Sequence, residues 1–205
     1  MPLTSVQQGV IGQFLAAVLM MLGSDGLLEI AAPMSDDDRR DQEVHIRGLF
    51  EMGLALQVKT STYLHLHAHA VHPLLQVQFS VLASRLISHP RFWYLFAYLD
   101  RKNMCFGDPL FLVPSAIVHS HGYATQRAGR WHIEVQARMS PTARDVWAPY
   151  QVRGRDLGKR VLQIIRDAGT KPSPQLTSSP LASGPGLLYV GGRRRTGRQT
   201  HQQAA

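Results

Sequence analysis

The sequence predicts an α/β domain: a mixed central β-sheet flanked by the first and last helices, with a disordered C-terminal tail. Three observations carry that expectation. Apolar residues recur at three-and-four spacing near both ends of the first 168 residues, in "SVQQGVIGQFLAAVLMMLG" and "RDLGKRVLQIIRDAG". Several segments between them alternate apolar and polar residues with the period of a strand. One further segment, "RFWYLFAYLD", is almost entirely apolar and aromatic, the pattern of a strand covered on both faces.

Taken in order, Val10, Ile11, Phe14, Leu15, Val18, Leu19 and Leu22 mark an amphipathic helix over residues 5–23, with Gly23 as its stop. "GLLEIAA" is a short strand. An acidic loop, Ser35 to Arg40, leads into "DQEVHIRG", and "LALQVKTST" follows; the two form a hairpin turning near Gly48 to Gly53. "YLHLHAHAVHPLLQVQFSVLASRLISH" alternates in both halves, with a short helical piece near Leu82 to Ser88. "LFLVPSAIVH" is a strand that ends at Pro114-Ser115 in a helical turn. In "RWHIEVQARM", Trp131, Ile133 and Val135 alternate with His132, Glu134 and Gln136. Ser140-Pro141 has the N-cap and first-position residues of another helix.

Composition sets outer limits. The chain has 205 residues, 44% hydrophobic and 18% charged, enough for one globular domain with a buried core. We place that domain at residues 1–168. Residues 169–205, rich in Pro, Ser and Gly, read as a disordered basic tail. The single cysteine, Cys105, excludes an intramolecular disulfide and a cysteine-built zinc site. The longest apolar run, "VIGQFLAAVLMMLG", has 14 residues. A membrane helix needs about 20. The expectation is therefore a cytoplasmic protein with no membrane partner. Of the net charge of +8, Lys171, Arg193, Arg194, Arg195 and Arg198 supply +5 with no acid among them, leaving +3 for the domain. Such a tail suits contact with nucleic acid, and it suits a solubilising end equally well.

The chemistry concentrates in the hairpin. Residues two apart share a strand face, so Asp41 and Glu43 project to one side of their strand, and Gln57 and Lys59 to one side of theirs. A lysine in an apolar strand is costly without a partner. A hard cation such as Mg2+ (or Mn2+) takes oxygen ligands, which Asp41, Gln57 and a main-chain carbonyl near Val58 can supply. Lys59 would then position a nucleophile and offset charge on a phosphate. The plainer reading is a solvated strand end with a salt bridge from Lys59 to Asp41 or Glu43.

These residues resemble the PD-(D/E)xK nuclease superfamily. In more detail they resemble its DUF4365-type uncharacterised members, in which a "GE" helix, a "D-x-x-x-D" loop and "QVK" follow in this order. The resemblance covers mainly residues 9–61. It implies a restriction-endonuclease-like fold and Mg2+- or Mn2+-dependent hydrolysis of DNA phosphodiester bonds, in defence or repair. It assigns Asp41 as the metal-binding aspartate, Gln57 as the variable acid-or-glutamine position and Lys59 as the catalytic lysine. Gln13 falls where the family has a helix glutamate; a neutral amide there removes a charge and weakens metal binding. Glu43, Asp37 and Asp38 are the acids at hand to compensate, Glu43 as a further metal ligand. The rival reading is a catalytically inactive nuclease-fold module that binds nucleic acid or a protein partner. A homodimer is compatible with either.

Other patterns are weaker. His65, His67 and His69 share a strand face, with His72 nearby, and histidines so spaced can bind a transition metal. No cysteine or obvious carboxylate completes the set, so a partly solvated or phosphate-contacting face is the simpler reading. No phosphate-cradling glycine loop is present, and Ser115 lacks the glycines of a nucleophile elbow. Trp93, Tyr94 and Trp131 read as core rather than as base-stacking platforms.

Overall fold

The computed structural model describes residues 3–33, 41–66 and 72–170. The acidic loop with Asp37 and Asp38, His67 and His69, and the tail beyond residue 170 lie outside the described residues.

Helix α1 spans Ser5–Gly23. Thr4 begins it with a capping box: its hydroxyl accepts the Gln7 N–H, while the Gln7 side chain accepts the Thr4 N–H. Strands β1 (Leu28–Ala31), β2 (Gln42–Ile46), β3 (Leu49–Ser61), β4 (Leu64–His65) and β5 (Leu74–Leu82) follow. Then come β6 (Phe92–Asp100), β7 (Cys105–Pro114), α2 (Ser115–His121), β8 (Tyr123–Arg127), β9 (Arg130–Arg138), β10 (Gln151–Val152) and α3 (Leu157–Thr170).

Six strands make the central sheet, in the order β1-β2-β3-β6-β7-β10. It is mixed: β3 and β6 run parallel, and the other neighbours run antiparallel. The alternation along each strand sorts its two faces. Leu54, Leu56 and Val58 of β3, Leu95 and Ala97 of β6, and Leu110 and Leu112 of β7 pack against Ala16 and Met20 of α1 and Val161 and Ile165 of α3. The opposite residues, Phe92, Tyr94 and Phe96 of β6 with Phe111 and Val113 of β7, pack against a second sheet. That sheet is antiparallel, in the order β4-β5-β9-β8.

The first and last helices therefore share one face of the central sheet, and a sheet covers the other. The helices approach closely at Gly158: a Cβ there would stand 2.4 Å from the Met20 carbonyl oxygen and 2.5 Å from the Ser24 nitrogen. Only glycine fits. The reversal after α1 is made by Asp25 and Gly26, both at positive φ, rather than by Gly23.

Two local expectations change. The hairpin turns at Arg47 and Gly48, and Gly53 lies within β3 opposite His45. A Cβ at Gly53 would fall 2.7 Å from His45 Nδ1, so the missing side chain makes room for that ring. Ser140-Pro141 starts no helix. The buried Ser140 hydroxyl accepts the Thr142 N–H in a tight turn, and the residues after it lack apolar three-and-four spacing to hold a helix against the core.

Candidate active site

The β2–β3 register decides which side chains meet. Gln42 pairs with Leu56 and Glu43 with Ala55, so the position before Gln42 falls beside Gln57. Asp41 occupies it. Its main-chain N–H donates to the Leu56 carbonyl at 3.0 Å, and its Oδ2 accepts the Val58 N–H at 2.7 Å. The carboxylate thus stands where a continued β2 would have offered a backbone acceptor, and it ties the mouth of β2 to β3. A carboxylate held by a main-chain N–H in this way is fixed in place before any ligand arrives.

Alternation puts Asp41, Glu43, Ala55, Gln57 and Lys59 on one face, the one turned toward the second sheet. Across the parallel β3–β6 junction, Gln57 pairs with Tyr94 and Lys59 with Phe96. Gln57 is buried, and Lys59 is half-buried. The Lys59 ammonium lies 5.9 Å from the centre of the Phe79 ring on β5, a cation–π distance. Phe79 in turn lies against Tyr94 and Phe96. Stacked aromatic rings therefore back the lysine and restrict where its stem can go.

Helix α1 covers the other face. Gln13 bonds there through its main chain: its carbonyl accepts the Gln42 side-chain N–H at 2.6 Å. The buried Gln42 Oε1 has no hydrogen-bond partner among the described residues. The α1 glutamine whose side chain reaches β3 is Gln8, which donates to the Thr60 carbonyl at 2.6 Å and to the Thr60 hydroxyl at 3.2 Å. Thr60 directly follows Lys59. The "GE" pattern points to Gln13, which follows a glycine, and not to Gln8, which precedes one; only the fold shows which helix turn crosses β3.

A cavity of about 470 Å³ opens on the same face one pair upstream, lined by Glu43, His45, Ala55, His89, Arg91 and Phe92. Glu43 and His45 stand 3.8 Å apart within it. Farther along the face, His119 of α2 joins the Tyr94 hydroxyl through Nε2 at 3.1 Å and the Ser88 hydroxyl through Nδ1 at 2.6 Å. Burial holds the His119 imidazole below its usual 6.5.

The donors at the hairpin suit a hard cation. Mg2+ binds through one or two carboxylates, keeps several waters and takes further oxygens from substrate phosphate. Asp41 with the Gln57 amide, and Glu43 one pair along the face, match that demand in type. Zinc needs a fuller protein shell. Among the described residues no group of three or more His, Cys, Asp or Glu side chains is placed to share an ion. His65, on β4, is exposed. Trp93, Tyr94 and Trp131 pack into the two cores, and Cys105 is exposed.

No family model matches the chain, and no curated protein matches it. Among solved structures it is similar to a bacterial homing endonuclease, I-Ssp6803I, at 13% identity and a TM-score of 0.49, over 82% of this chain and 99% of that one.

Proposed function

We propose that the chain is a nuclease-like protein that hydrolyses DNA phosphodiester bonds with the help of a divalent metal ion. One observation carries the reading. The Asp41 carboxylate, fixed by the Val58 N–H, sits beside Gln57 at the start of a face on which Lys59 is the next outward residue of β3. Hard oxygen donors and one aromatic-backed ammonium on a single strand face are what metal-assisted attack on a phosphate requires.

In this reading Asp41 and Gln57 hold Mg2+ or Mn2+, with Glu43 as a further ligand. When bound there, such an ion would supply Lewis-acid chemistry, polarising the phosphate and lowering the pKa of a water. Lys59 positions that water and offsets negative charge as it grows on the phosphate. DNA is the partner, the basic tail adds phosphate contacts, and the setting is cytoplasmic. Gln13 stands at the helix position that the PD-(D/E)xK resemblance assigns, and Gln8 is its structural competitor.

The test is cleavage of supercoiled and branched DNA with Mg2+ or Mn2+. Wild type should cut, Lys59→Ala should cut at least ~100-fold more slowly, and both should melt alike. Gln13→Glu and Gln8→Glu test whether either turn of α1, which lies on the opposite face, reaches the site round the end of β3: only a variant that does raises metal affinity. No cleavage by wild type or by either glutamate variant defeats the reading.

The second reading, an inactive nuclease-fold module that binds nucleic acid or a protein partner, has its own support. Helix α1 offers amides and no carboxylate. It predicts salt-dependent DNA retention without cleavage.

A further inference from the structure

Helix α1 carries an apolar surface that the other described residues leave uncovered. Val6, Val10, Phe14, Val18, Met21 and Leu22 are each between 41% and 74% exposed. Five of them, from Val6 to Leu22, follow one another every fourth residue and form a single ridge along the helix. The opposite side of α1 is ordinary core: Gly12, Ala16 and Met20 are buried against the central sheet and α3. This helix is therefore apolar on two sides, and only one has a partner among the described residues.

We propose that this ridge is a homodimer interface, formed by α1 of one copy against α1 of a second. Three features favour a second copy over other occupants. The first is charge. The stretch Ser5–Gly23 contains no Asp, Glu, Lys or Arg. A twofold interface must be complementary to itself, and an uncharged ridge meets its own copy without like-charge repulsion. A helix that lies on a membrane surface instead carries Lys and Arg along its polar side, and α1 has none.

The second feature is symmetry within the ridge. Phe14 is its midpoint, with Val10 and Val18 on either side and Val6 and Leu22 at the ends. A twofold axis crossing the helix at Phe14 sets Phe14 on its counterpart, Val10 against Val18 and Val6 against Leu22. Each of the five ridge residues is then set against an apolar counterpart, while Met21 falls opposite Gln7 at the edge.

The third is area. Six large side chains at these exposures offer roughly 600 Å² of apolar surface per copy, the upper end of what the largest patch of a monomer shows. A standard interface buries about 800 Å² per partner. The flanking Thr4 and Gln7 supply a polar rim of the kind such interfaces have.

The competing occupant is a lipid bilayer, since α1 has 19 residues and a mean hydropathy of 1.5, long and apolar enough to cross one. The experiment separates the two. Sedimentation velocity on the full-length protein at micromolar concentration should give twice the 22.8 kDa chain mass. Phe14→Glu should give the single-chain mass with an unchanged circular dichroism spectrum. In a Cys105→Ser background, Phe14→Cys should form a disulfide-linked dimer on mild oxidation, whereas Val6→Cys, set against Leu22, should not. This arm stands even if Phe14→Glu folds poorly. A monomeric wild type overturns the proposal, as does a dimer that survives Phe14→Glu. So does a protein that stays monomeric and pellets with phosphatidylcholine vesicles through Phe14.

Discussion

The central sheet has two faces built to different ends. The helix-covered face is aliphatic, and the polar side chains Gln8 and Gln42 donate to main-chain carbonyls of a neighbouring element, Thr60 and Gln13. The sheet-covered face is aromatic, with Phe92, Tyr94, Phe96 and Phe111 packed beneath the second sheet and its Phe79, and Asp41, Gln57 and Lys59 lie beside them on β2 and β3. On the first face polarity fastens the fold. On the second it is set out in a row, backed by rigid rings, with a cavity beside it. A buried sheet can therefore carry polar chemistry on one face, provided the covering layer is stiff and a cavity adjoins it.

The sharpest way to break the comparison is to cut each face separately. Phe96→Ala, at a fully buried site on the aromatic face, should cost about 3–5 kcal/mol, and Leu56→Ala on the aliphatic face about 2–5 kcal/mol. Urea titrations followed by tryptophan fluorescence and by far-ultraviolet dichroism should coincide in both variants. Separate transitions would mean that the faces are independent layers rather than two sides of one core.

A smaller change tests how tightly the helical layer is drawn together. Gly158→Ala drives a methyl into the Met20 carbonyl and should cost about 1–3 kcal/mol, read as a lowered melting temperature. Smaller again is Thr4→Ala, which removes the capping box of α1 for about 1 kcal/mol. If the thermal melt does not move, the first turn of α1 does not contribute to the folded state.

The mildest effect belongs to the aromatic side. Because burial holds the folded-state pKa of His119 below 6.5, the folded protein favours the neutral ring. The unfolded chain takes up the proton more readily, so this contribution is complete above pH 6.5 and declines as pH falls below it. Comparing melts of wild type and His119→Gln across that range should show the wild type losing more stability on acidification.

Local pattern made much of this legible. The hairpin, the burial of β6, the step from β7 into α2 and both long helices follow from periodicity and from Pro114-Ser115. The same-face placement of Asp41, Glu43, Gln57 and Lys59 follows from the strand period alone. What pattern did not disclose is the second sheet as a layer. Its central pairing joins Leu75 to Ala137 and Val77 to Val135, residues far apart in the chain, and alternation says only that each strand has a covered face. For the same reason the helices were expected to flank the sheet without any indication that they share a side. Ser140-Pro141 misled because Ser and Pro open turns as readily as helices.

The parallel junction between β3 and β6 has a consequence for how the chain reaches this state. The β2–β3 and β6–β7 pairs are hairpins that close over a few residues, but the β3–β6 seam must wait for the intervening chain, β4 and β5 included, to be brought round. Loop closure of that length precedes any reward from the seam. We expect substitutions in the hairpins to slow refolding, while Val58→Ala and Leu95→Ala, facing each other across the seam, mainly hasten unfolding in stopped-flow measurements. The β2–β3 hairpin that carries Asp41, Gln57 and Lys59 would then form early, and the aromatic rings of β6 that back them would close on it last.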